Sequence, residues 1–171
     1  MDFSKQQIIY RPLEGMTAIY TVKDGVMSFT CVPEGTSDKV KPSKLYKEFN
    51  PSHPYPEIEP MVQIARTGNS PRRDFSSGAT MYDSSTSFSF RPCDQVCSET
   101  EETREIVTLL ENEDGLKVRH ILTQRKGYRA AELRMELENC GADTTIELAS
   151  SFAISALTPF EEENDPDSLI L

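Results

Sequence analysis

From Tyr128 to Glu138 apolar and charged residues alternate without a break. Ala131, Leu133, Met135 and Leu137 take one set of positions, and Glu132, Arg134, Glu136 and Glu138 take the other. A period of two places these sets on opposite faces of a β-strand, so this strand has one buried and one wet side. The run Thr144 to Ile154 repeats the pattern through Ile146, Leu148, Ser150, Phe152 and Ile154, after a turn over Asn139 to Asp143 that contains Gly141. The two strands are expected to pair antiparallel.

The same reasoning extends upstream. Arg104 to Leu110 and Leu116 to Gln124 read as strands separated by Glu111 to Gly115, whose Asn112, Asp114 and Gly115 supply turn chemistry. Arg125, Lys126 and Gly127 make the next turn, so the second half reads as a meander. Near the start, Thr17 to Val22 and Val26 to Val32 flank Lys23, Asp24 and Gly25, and Asp-Gly between apolar runs is a strong hairpin signal. Pro33 to Pro60 is rich in proline and reads as an extended surface excursion. Met61 to Ala65 and Ser84 to Phe90 resume strand-like patterning. No segment sustains the i, i+3, i+4 spacing of a globular helix and no internal repeat stands out. The expected class is all-β, an antiparallel β-sandwich, and 171 residues fit one domain.

The chain closes on Ser168, Leu169, Ile170 and Leu171, an apolar run behind the acidic loop Glu161 to Asp167. Termini are usually polar and loosely held. Two readings stand side by side: a terminal edge strand that completes the sheet, or a sandwich whose remaining strands lie beyond Leu171.

With 28 acidic residues against 18 basic ones, the formal net charge of -10 argues against a surface built to neutralise phosphates, so no nucleic-acid partner is expected. Met1 to Gln7 leads into no apolar core of a secretory signal. The stretch Leu148 to Leu157 carries three serines and falls far short of the roughly 20 residues of a spanning helix, so no membrane partner is expected. Cys31, Cys93, Cys97 and Cys140 are too sparse for a disulfide scaffold, and a cytoplasmic location is expected.

Candidate chemistry is thin. Cys93 and Cys97 have no second pair at matching spacing, and His53 and His120 sit in no metal-ligand pattern, so no metal is expected. His120 alternates with Leu116, Val118 and Leu122 and reads as a partly buried, hydrogen-bonded histidine. No nucleophile elbow, phosphate loop or dinucleotide turn occurs among the 8 glycines, and no cofactor is expected. The Glu161 to Glu163 cluster reads as a solvated turn. One loop combines sugar-competent groups with an aromatic: Thr67 to Phe75, with Gly68, Asn69 and Pro71. Its Arg72, Arg73, Asp74 and Phe75 are the candidate substrate-binding residues, against the plainer reading of a solvated turn.

Three blocks carry a family resemblance. Ile146 to Phe160, IELASSFAISALTPF, resembles a strand in which an acidic residue and Ser-Ser-Phe run into a Thr-Pro-Phe corner in the N-terminal β-sandwich domain of family 36 glycoside hydrolases, the α-galactosidase type. Phe75 to Thr86, FSSGATMYDSST, resembles the same family's Ser-Gly-x-Thr-Met stretch and following polar turn. Between them, Gly115 through His120 and Tyr128 to Asn139 is similar to its strand, turn and strand ending in an asparagine turn. The resemblance covers roughly residues 60 to 171; Ser155 and Ala156 depart from the small glycine-like positions of the pattern, and Met1 to Pro60 carries no matching motif.

The resemblance implies a supersandwich-like fold and a longer parent chain, in which a (β/α)8 barrel follows the sandwich and carries both catalytic carboxylates. A retaining glycosidase needs two such groups about 5–5.5 Å apart. The implied parent hydrolyses terminal α-linked galactose from oligosaccharides with retention. This chain alone then holds no catalytic residue, meets α-galactosides only through the barrel, and is open to homo-oligomer formation. The alternative is a free-standing carbohydrate-binding or recognition module, which the absence of tryptophan weakens because aromatic platforms usually carry glycan binding.

Overall fold

Three antiparallel sheets account for the described part of the chain. The structure is a computed structural model and describes residues 1–40, 58–66, 84–141 and 146–150. The first sheet holds β1 (Gln7–Leu13), β2 (Met16–Lys23) and β3 (Val26–Pro33) in that order. A second pairs β4 (Gln63–Arg66) with β9 (Ile146–Ser150). The third is a four-stranded meander of β5 (Arg91–Glu99), β6 (Thr103–Glu111), β7 (Leu116–Arg125) and β8 (Ala131–Asn139). The described chain is thus all-β and sandwich-like, with the first and third sheets packed face to face. Among the described residues no helix is long and apolar enough to cross a membrane.

The turns follow local chemistry. β2 and β3 join through Asp24 and Gly25, both at positive φ (52° and 77°), the combination that lets a two-residue loop match the twist of its strands. In the β6–β7 turn Asn112 accepts from the Leu116 amide and donates to Ser89 Oγ, while Gly115 takes φ 82°.

One core unites the two large sheets. Ala18, Tyr20 and Val22 of β2 and Met27 and Phe29 of β3 face Ile106 and Leu110 of β6 and Leu116, Val118 and Leu122 of β7. Met61, Val62 and Ile64 join this cluster from β4 and the residues before it. β2 is buried on its other face as well, where Ile19 packs with Ile8, Val32 and Val40. Val40 follows a short 3-10 turn at Ser37–Lys39, so the start of the proline-rich excursion covers the outer face of the first sheet. Each apolar side chain fully removed from water contributes about 1.5–3 kcal/mol.

Four sequence expectations change. Ser85–Ser89 forms a single helical turn, α1, where a strand was expected: Ser84 caps it by accepting from the Thr86 amide, and Ser87 is tied to the backbone of Ile64. Serine and threonine offer the backbone these local bonds, which outcompete a strand ladder. β9 pairs with β4 and not with β8. The Cys140 amide donates to the Gly115 carbonyl, so the chain leaving β8 folds over the β6–β7 turn and crosses between sheets. Residues 151–154 of that expected strand lie outside the described residues. β1 and β5 were not expected at all. β1 carries Arg11 and Pro12, and β5 is mostly exposed, with a register shift between Pro92 and Asp94, so neither shows an apolar period of two.

Gly115 and Gly127 allow a controlled test. Both have φ near 80°, but a Cβ on Gly115 would lie 2.8 Å from the Gly141 backbone nitrogen, whereas a Cβ on Gly127 would meet nothing within 4 Å. Gly127→Ala is expected to lose only the left-handed penalty of about 1–2 kcal/mol, and Gly115→Ala to lose more because the β8 exit must also shift. Urea denaturation of the two variants measures the difference.

Candidate functional site

Polar side chains occupy the centre of the seam between the two large sheets. Across the third sheet, Gln95 of β5 lies opposite Thr108 of β6, which lies opposite His120 of β7. All three point inward and are buried. Gln95 Nε2 donates to Thr108 Oγ1 at 3.0 Å, and Arg11 Nε reaches over from β1 to donate to Gln95 Oε1 at 2.9 Å. From β2 and β3, Tyr20 and Phe29 close the row: their ring centroids are 5.2 Å apart, and Phe29 meets the His120 ring edge-on at 5.2 Å.

His120 is fully buried, and neither ring nitrogen has a hydrogen-bond partner. This corrects the expectation of a partly buried, hydrogen-bonded histidine. The fold uses the ring as a flat, neutral packing surface against Phe29, and burial lowers its pKa to about 4. The Tyr20 hydroxyl is also buried without a formed bond, although Thr108 lies close enough to favour its ionised form slightly. Burial first, then the neighbouring Cys31 and Cys97, pushes the Tyr20 phenol upward. Burial raises the Cys31 thiol to about 11. At neutral pH the row therefore holds a phenol, an imidazole and a thiol, all uncharged. None is an activated nucleophile or an accessible base, because reactive thiols are depressed and exposed, and a general base must reach its proton.

Several acidic residues form ion pairs away from this row. Glu99 pairs with Arg104 at 3.3 Å and Lys126 at 2.6 Å, Glu111 with Lys117 at 3.6 Å, and Glu136 with both Arg119 and Arg134. Lys126 and Arg104 hold the Glu99 carboxyl below its ordinary value. These pairs sit on the outside of the third sheet or at its turns, where each contributes little to stability. Among the described residues no group of three or more His, Cys, Asp or Glu side chains could hold a metal ion. Cys93 and Cys97 are free and exposed.

The candidate substrate-binding residues Arg72, Arg73, Asp74 and Phe75 lie outside the described residues, as do His53 and Glu161 to Glu163. The strand that precedes Thr67 in sequence is described. β4 ends at Arg66, where the β4–β9 register shifts, and Arg66 forms an ion pair with Asp114 of the β6–β7 turn. The buried polar row was missed from sequence, yet it left a signal. Thr108 stands between Ile106 and Leu110, and His120 between Val118 and Leu122, so both are polar residues at core positions of adjacent strands. No protein-family profile, curated protein or solved structure matches the chain.

A neutral buried histidine makes stability depend on pH. Its folded pKa of about 4 lies below the roughly 6.5 of an unfolded histidine, so the unfolded chain binds the extra proton first. The full stability is present above pH ~6.5 and is lost as pH falls toward ~4, by up to about 3 kcal/mol. His120→Leu is expected to remove this slope and to match the parent within about 1 kcal/mol at pH 7, since it deletes two unpaired nitrogens. Denaturant midpoints for both chains between pH 4 and 7 check this, and an unchanged slope in the variant would contradict it. Tyr20→Phe, which deletes an unbonded hydroxyl, is expected to be neutral or stabilising in the same assay.

Proposed function

We propose that this chain is the N-terminal β-sandwich of a family 36 glycoside hydrolase, part of an α-galactosidase that removes terminal α-linked galactose from oligosaccharides with retention of configuration. On this reading the chain shapes and supports a site whose catalytic carboxylates are in a following barrel, and it is not catalytic alone. The reading places the protein in the cytoplasm and gives it no cofactor.

The observation that carries the reading is the ordered likeness of the blocks Phe75 to Thr86 and Ile146 to Phe160 to the front of that family. The fold adds support, because the helical turn that follows the first block and the strand that opens the second both contact β4. α1 follows the Ser84 at the end of the first block and is bonded to β4 through Ser87 and Ile64, and β9, which opens the second block, pairs with β4 on residues Gln63–Arg66. Stretches some sixty residues apart in sequence thus pack on one short strand. The candidate loop Thr67 to Phe75 begins directly after that strand.

Hydrolysis of a chromogenic α-galactoside by the 171-residue chain, beside the longest product of the same reading frame, tests the proposal. Turnover by the long product alone is the expected result. Turnover by the short chain would overturn the supporting role, and inactivity of both would overturn the galactosidase reading. In the active long product, replacing Arg72, Arg73 or Asp74 by alanine is expected to raise KM more than it lowers kcat, as loss of uniform binding does.

A further inference from the structure

We draw no further inference here: the strongest candidate, the apolar patch that Val96, Val107 and Leu109 form around the buried Ile121 on the outer face of the four-stranded sheet, carries nothing because nothing in the structure shows what covers it.

Discussion

Everything in this fold depends on two sheets meeting across a buried seam, and Phe29 is the side chain that joins them. It stands between Tyr20 of its own sheet and His120 of the facing one, in contact with both rings. Aromatic pairs at such spacing and tilt contribute about 0.5–1.5 kcal/mol each beyond the area they bury. The arrangement places polar atoms of Tyr20 and His120 where no described protein group bonds them. Shape is served there at the expense of hydrogen bonding. The bonded part of the row, Arg11 to Gln95 to Thr108, runs from β1 through β5 to β6 and fixes how the first sheet sits over the third.

A second set of bonds locks one end of the sandwich. Gln124 of β7 accepts from the Glu14 amide at 2.7 Å and donates to the Glu14 carbonyl at 2.8 Å, while the Glu14 carboxylate accepts from the Gly127 amide at 2.6 Å. The β1–β2 and β7–β8 turns are thereby held together, and Gly15 is needed because a Cβ there would meet the Arg129 side chain within 3 Å. A side-chain amide that satisfies both backbone groups of one residue behaves like an added rung of β-ladder between sheets. It restrains sliding in a way that apolar packing, which is non-directional, does not.

The sequence was most legible where one strand face is wet and the other dry. β6, β7 and β8 show the alternation, and the Asp24–Gly25, Asn112–Gly115 and Lys126–Gly127 turns show the residues that positive φ requires. Legibility failed where burial is not one-sided. β5 is exposed over most of its length, so it alternates in nothing, and β1 interrupts its pattern with Arg11, which is spent on the contact with Gln95. The pairing of β9 was misread for a different reason. Alternation assigns a face to a strand but no neighbour, and the Cys140 to Gly115 bond that diverts the chain joins residues far apart in sequence. The candidate substrate residues could be named from residue type alone, and their setting is not part of the described structure. The buried row could have been suspected, because Thr108 and His120 interrupt apolar faces at positions that turn out to be directly opposed.

The contrast between the seam and the β4 corner bears on where function can reside. The seam is buried, its histidine, tyrosine and cysteine are neutral at pH 7, and Arg11 at its edge is spent on Gln95, so it presents no group poised to act on a ligand. The β4 corner has the opposite character. Its register shifts before Arg66, Asp114 of another turn holds Arg66 in place, and the sequence that follows carries Asn69, Arg72 and Arg73. A register shift at a strand end is a common place for a sheet to end its pairing, beside an ion pair that fixes that end. Any contribution of this sandwich to sugar recognition is therefore better sought at the exit of β4 than between the sheets, however suggestive a buried histidine and tyrosine look in the sequence.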